Sequence, residues 1–279
     1  MFKRNSFLVI MMVLLAAGIA ASLWFYNTYI VPNAQMSSTY MEVYQDLDAN
    51  EIRSVSIDTI NHRVNVVPTD EDKVKISYFQ RTDSANSFVI NNRDVSLKII
   101  ERAEEPTNSF ITSTRQIDTI TIYLPSQSVI AVTNKTIEGV FNAENVTAES
   151  FVLSSISGAV NFKNVVTGKL DINSNSGVVT VSGIESNLIN ILEVTGNVTL
   201  EINDSLTLYN LNILSNNGRL TVNENPVRVM VDDKETVVNY IEEQREGVTR
   251  SISINSLRSS IDVYSHEETV QETNENVQE

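Results

Sequence analysis

The chain has 279 residues, with 20 Lys and Arg against 35 Asp and Glu, a net charge of −15 at neutral pH, two histidines and no cysteine. That acidity leaves no basic face to meet phosphate and argues against a nucleic-acid partner. The missing cysteines exclude disulfides, thiolate metal sites, a cysteine nucleophile and a lipid-modified N-terminal cysteine, and His62 and His266 alone cannot make a histidine-rich metal site.

From Phe7 to Tyr26 the sequence FLVIMMVLLAAGIAASLWFY runs twenty residues without a charge or a proline. At about 1.5 Å per residue this makes a helix roughly 30 Å long, enough to cross a bilayer core. Lys3 and Arg4 precede it, and basic residues stay on the cytoplasmic side. A cytoplasmic stub at 1–6, a single transmembrane helix at 7–26 contacting the lipid bilayer, and an extracytoplasmic remainder are therefore expected. The competing reading is a cleaved signal peptide, whose apolar region usually spans only about 7–15 residues. Here the apolar run continues past Ala17, Ala20 and Ala21, and both readings export the rest of the chain.

Residues 27–50 read as a juxtamembrane connector, with Pro32 stopping the anchor helix. Tyr40, Tyr44 and Leu47 fall at helical spacing and predict a short helix between Met36 and Asp48 that docks on the following domain.

That domain carries a ruler. Gly139, Gly158, Gly177 and Gly196 are nineteen residues apart, and Gly218 follows after twenty-two. Two and four positions after these glycines stand Phe141 and Ala143, Val160 and Phe162, Val179 and Val181, Val198 and Leu200, and Leu220 and Val222. Twelve and fourteen after come Phe151 and Leu153, Leu170 and Ile172, Ile189 and Ile191. Apolar–polar–apolar triplets are strands with one buried face, and a fixed period near twenty with two short strands predicts a solenoid. The fold class is all-β, a single-stranded parallel β-solenoid (β-helix) with coils of about nineteen residues, the five glycines marking its repeat turns. The same strand spacing extends the array over 51–264, with irregular coils at 51–135, regular coils at 136–225 and C-terminal coils at 226–264. The stretch 77–115 reads as an excursion holding one good strand at Val95–Ile99, and the acidic tail 265–279 reads as disordered.

The segments EIRSVSIDT, ITIYLPSQ, SISGAVNF, SNSGVVTV, EVTGNVTL and SNNGRLTV together resemble the bacterial "putative adhesin" family of β-strand-repeat proteins of unknown function, in its membrane-anchored form. The likeness covers roughly residues 50–264. It implies a β-repeat fold and, through members encoded near cell-envelope stress regulators, an envelope role. The family has no agreed catalytic residues, so none is implied here.

A search for chemistry is unrewarding. The acids of the regular coils, such as Glu138, Asp171, Glu193 and Glu201, occupy different coil positions and would not converge on one site. Asp232 and Asp233, beside Arg228 and Lys234, read as a solvated turn. Asp46, Asp48 and Asn50 resemble the start of a calcium loop, but its central glycine is absent and Ile57 stands at the twelfth position. His62 reads as a surface turn residue, and the sequons at Asn134, Asn145, Asn197 and Asn203 as chance products of a polar outer face. No catalytic residue, cofactor or metal ligand is expected. The expectation is a non-enzymatic, membrane-anchored module that binds, senses or scaffolds at the envelope through a membrane protein or cell-wall glycan. The alternative is an adhesin binding glycan or a host surface, and the third class is a carbohydrate-active enzyme.

Overall fold

Side chains on successive strand residues point to opposite faces, so each triplet of the repeat buries two aliphatics and turns the residue between them outward. The computed structural model describes residues 22, 40–48, 52–81, 88–93, 95–102, 119–126, 128–231 and 234–265. The strands are β1 (Tyr40–Asp48), β2 (Ser54–Thr59), β3 (Arg63–Thr69), β4 (Lys73–Arg81), β5 (Phe88–Arg93), β6 (Ser96–Glu101), β7 (Thr119–Pro125), β8 (Ala131–Thr136), β9 (Phe141–Glu144), β10 (Thr147–Lys163) and β11 (Val166–Ile202). Beyond a short 3₁₀ turn at Leu206–Leu208 come β12 (Asn210–Ser215), β13 (Leu220–Val222), β14 (Asn225–Pro226), β15 (Arg228–Val231), β16 (Lys234–Val237), β17 (Tyr240–Glu243), β18 (Ser251–Ser256) and β19 (Ser260–Ser265).

Parallel pairing arranges these strands as a ladder of two-armed rungs. Rung one is β6 with β7, rung two β2 with β3, and rung three β8 with β9. Rung four is β10, rung five the first part of β11 (166–182) and rung six its second part (185–202). Rung seven is β18 with β19, and rung eight β12 with β13. From rung four to rung five the register is nineteen residues, Gly158 opposite Gly177 and Phe151 opposite Leu170, as the glycine ruler requires.

The inward residues stack into continuous columns. One runs Leu97, Val55, Val132, Phe151, Leu170, Ile189, Ile252, Leu211, and each member is at most 3% exposed. Phe141, Phe151 and Phe162 fill rungs three and four with ring centroids 5.1–6.3 Å apart.

At both ends of the ladder, spatial order departs from chain order. Rung two comes first in the sequence, yet lies between rungs one and three, which follow it. At the other end β18 pairs with Leu188–Glu193 on one side and with β12 on the other, so the last rung of the chain is inserted between rungs six and eight. The twenty-two-residue step from Gly196 to Gly218 therefore joins rungs that do not touch. One rung adds about 4.8 Å, and the three extra residues at up to about 3.3 Å each span it.

Antiparallel strands close the ends. β4 pairs with β7 and β5 with β6, while β17 pairs with β12 and β14 with β13. They occupy edges that would otherwise template pairing with another chain.

Three sequence expectations are corrected. Residues 40–48 are not helical: β1 pairs antiparallel with β4, Val43 opposite Tyr78 and Leu47 opposite Val74. The helical spacing of Tyr40, Tyr44 and Leu47 coexists with an alternation at Met41, Val43 and Leu47, and tertiary pairing decides for the strand. Residues 226–243 are not coils, because β15 and β16 form a separate hairpin and β17 runs antiparallel. The stretch 77–115 holds the end of β4 and all of β5 and β6. The expected transmembrane segment 7–26 lies, Ser22 excepted, outside the described residues, as do Lys3, Arg4, His266 and the tail beyond Ser265. Among the described residues no helix is long and apolar enough to cross a membrane.

Candidate functional site

Two polar rows run the length of the ladder, one outside and one inside. The outer row is the central outward column of the second arm: Thr121, Asn65, Asn142, Asn161, Thr180, Thr199 and Asp262, rung by rung, continued at rung eight by Thr221, which is buried where β13 pairs with β14. The Asn142 carboxamide donates to Asn65 Oδ1 at 2.8 Å, and Asn161 donates to Asn142 Oδ1 at 2.9 Å. Thr221 donates to the Asp262 carboxylate. Each link uses one N–H and one lone pair, leaving every asparagine in the ladder a second donor and a second acceptor facing solvent. The stripe thus offers repeated hydrogen-bonding capacity at the strand spacing of about 4.8 Å. On one side of it Lys163 and Glu144 pair at 2.7 Å; on the other lie Val140, Ala159 and the exposed Val178.

The inner row lines the corner between the arms. Three positions before each corner residue stand Thr59, Thr136, Ser155, Ser174, Glu193, Ser256 and Ser215, all buried. The reason is local: the Thr136 hydroxyl accepts the Gly139 N–H at 2.9 Å, and the Ser256 hydroxyl accepts the Ser259 N–H at 2.9 Å. In these two rungs the hydroxyl caps a backbone donor that the turn leaves without a ladder partner, while in rung eight the Ser215 hydroxyl donates to the Ser259 carbonyl at 2.7 Å. The sequence carries this as TIEG, SISG, SNSG and SNNG, a Ser or Thr three residues before each glycine.

Carboxylates interrupt the row twice. In rung one Glu101, 8% exposed, accepts the Ile60 N–H at 2.7 Å and meets His62 Nδ1 at 2.9 Å. Burial alone would raise its pKa, but the His62 contact and the Ile60 and His62 amides outweigh it and hold the carboxyl below its ordinary value. His62 is therefore no free surface residue: it is half-buried, meets Glu101 and packs edge-on against Phe88 at 4.9 Å. In rung six Glu193 is 0% exposed, and neither carboxylate oxygen has an aligned hydrogen-bond partner. Burial pushes it up to about 7 against the opposing pull of the nearby Ser174 hydroxyl and Thr195 N–H.

The five repeat glycines all stand at the corner. Gly158, Gly177 and Gly196 have φ of +146°, +152° and +151°, and a Cβ on each would lie 2.0, 1.9 and 1.8 Å from the carbonyl oxygen of the preceding glycine. Gly139 and Gly218 lack the positive φ but have the close approach, to the carbonyls of His62 and Ser259. They are structural, as the repeat pattern implies. Asn134 is buried in an otherwise aliphatic column, 1% exposed, and so is no accessible sequon, whereas Asn145 is an exposed turn residue at φ +55°. Asp232 and Asp233 lie outside the described residues, where no acid pair can be placed. Among the described residues no three acidic, histidine or cysteine side chains converge as a metal site.

The parallel two-armed rungs, the stacked corner glycines and the hydroxyl row define an all-β repeat protein with a solenoid-like core. The family model of Toastrack DUF4097 matches residues 52–278, and the chain belongs to that family. No curated protein matches it in sequence. Among solved structures it is similar to a "putative cell adhesion protein" from Clostridium sporogenes, at TM-score 0.48 and 15% identity over 81% of this chain and 100% of that one. It is also similar to a "putative adhesin" from Bacteroides fragilis, at TM-score 0.44 and 11% identity over 81% of this chain and 97% of that one.

Proposed function

We propose that this chain is a non-enzymatic binding module, anchored by residues 7–26 with its β ladder outside the membrane, that engages an envelope membrane protein or a cell-wall glycan. The observation that supports the reading is the outward Asn–Thr stripe. The spare donors and acceptors of Asn65, Asn142 and Asn161 recur on three successive rungs of a rigid core, which suits an extended partner better than a small molecule in a pocket. The apolar segment at 7–26 behind Lys3 and Arg4 supports the anchored, N-inside topology. The adhesin reading uses the same stripe with glycan or a host surface as partner.

The test is crosslinking from intact membranes with the wild-type chain and an Asn161→Lys/Thr180→Lys variant, both positions being outward and half-buried. Recovery of one envelope component by the wild type and its loss in the folded variant supports the reading. A protein component favours the sensor or scaffold, and wall polymer favours the adhesin. Equal recovery by both overturns the assignment to this face, and turnover of a wall polysaccharide overturns the non-enzymatic reading.

A further inference from the structure

Glu193 breaks the rule of its row at one particular place. Rung six is where the chain leaves the regular stack, and its neighbour on the far side is not the next segment of sequence but β18, brought back from the C-terminal region. Glu193 stands opposite Ser256 in that pairing. Its own carbonyl accepts the Leu257 N–H at 3.1 Å, and the Val194 carbonyl accepts the Arg258 N–H at 3.0 Å. The side chain and the backbone of one residue therefore sit at the seam that holds the inserted rung.

The groups facing the carboxylate are neutral. Rung five presents Ser174, the inserted rung presents Ser256, and the carboxylate's own strand presents the Thr195 N–H and Gly196. Arg258, in the adjoining corner of the inserted rung, is exposed to solvent and forms no ion pair with the carboxylate among the described residues. A protonated carboxyl here behaves as a long serine, able to donate as well as accept. An ionised one is a buried charge with no counter-charge and no aligned donor, which is among the costliest arrangements a protein interior can hold. We propose that the seam between rung six and the inserted β18–β19 rung is a pH-responsive clasp, held while Glu193 carries a proton and loosened when it ionises.

The direction follows from linkage. A folded-state value near 7, above the ordinary 4.5, means that the folded seam binds the proton more tightly than the open one. Its contribution is complete below about 4.5, declines as pH rises and is gone above about 7. The proposal is independent of what the outer stripe binds.

Hydrogen exchange on the full-length protein tests it, read as protection factors of the Leu257 and Arg258 amides between pH 5 and pH 8. Protection of these amides in the wild type should fall at least about tenfold over that range, a conservative fraction of the change the shift implies. Glu193→Gln keeps the shape without the charge, and Glu193→Ser restores the row. Both should hold protection constant across the range. Wild-type protection that does not change with pH, or the same decline in either folded variant, overturns the clasp.

Discussion

The carbonyl oxygen of Gly158 lies so close to the α-carbon of Gly177, one rung along, that a Cβ on Gly177 would sit 1.9 Å from it. No side-chain movement relieves this contact, because both partners are backbone in a ladder fixed at both sides. Gly177 also holds φ at +152°, which an L side chain rarely adopts. Gly177→Ala should cost about 3 kcal/mol or more, and in a rung that both neighbours depend on it should lower the urea midpoint sharply. Gly168→Ala is the control, since a Cβ there meets only the Glu149 carbonyl, at 3.1 Å, and φ is unstrained. It should change the stability by less than about 1 kcal/mol. Equal losses in the two variants would remove the corner ladder as the reason for the glycines.

The inserted rung makes a different prediction about cooperativity. In a simple solenoid, removing the last repeat leaves the remaining stack one neighbour shorter and only slightly less stable. Here the last described rung is interior. Deleting 251–279 strips rung eight of its parallel partner and exposes the edge of rung six, so residues 203–250 lose their place in the ladder. Deletion of 266–279 alone leaves both pairings intact. Proteolysis should therefore degrade the first truncation back to about rung six, while the second resists like the full chain.

The parts of this fold that could be read from sequence are those in which chain order and spatial order coincide. From Gly139 to Ile202 each rung lies beside the one before it, and the nineteen-residue ruler gives the register directly. The two insertions left no such mark. Val55/Ile57 and Ile252/Ile254 carry the same alternation whichever rungs flank them, because the buried face reports a core and not a neighbour. The irregular spacing after Gly196 was visible as three extra residues, but an extra loop and a skipped rung need the same three. The inner hydroxyl row was legible in Thr136, Ser155, Ser174 and Ser215. The surface expectation for His62 fails because its partner Glu101 lies thirty-nine residues away, where no repeat spacing links the two.

The His62–Glu101 pair sets an acid limit on the N-terminal end. The folded Glu101 carboxyl titrates below its ordinary value of 4.5, so it adds stability that is present above 4.5 and lost as pH falls through the folded value. At neutral pH Glu101→Gln should cost about 2–3 kcal/mol, because His62 and the Ile60 N–H lose their buried anion. As pH falls from 4.5 through the lower folded value the wild type and the variant should progressively converge. A constant difference across the acid range, measured by urea unfolding, would remove this pair from the pH dependence.

At the other end Arg250 fastens the skipped rung. Its guanidinium lies 4.3 Å over the ring of Tyr209 and donates to Asp204 at 2.7 Å and to the Ser186 carbonyl at 3.1 Å. Tyr209 is 0% exposed, and its hydroxyl, pushed up to about 12 chiefly by burial, donates to the same Ser186 carbonyl. One cation thus ties the loop leaving rung six to the strand returning beside it. Lysine cannot reproduce a planar fork that stacks and donates at once. Arg250→Lys should cost about 1–2 kcal/mol and raise exchange selectively at residues 204–210. A loss spread evenly over the ladder would contradict the local role.

Asn134 offers the opposite sign. It occupies an inward column whose other members include Ile57, Leu153, Ile172, Ile191, Ile254 and Ile213, it is 1% exposed, and its Oδ1 has no hydrogen-bond partner. A buried carbonyl without a donor costs about 1–3 kcal/mol, and an amide in this column contributes no packing that an aliphatic side chain would not. Ile57 and Leu153 flank it on the adjoining rungs, so the site is already shaped for a branched chain. Asn134→Leu is nearly isosteric and should raise stability by about 1 kcal/mol or more, read as a higher urea midpoint at unchanged m-value. The same substitution removes a sequon, and because the position is enclosed no change in surface binding should accompany the gain. A neutral or destabilising result would mean that the Asn134 amide is satisfied within the core, and that the polar interruption of the column serves the fold.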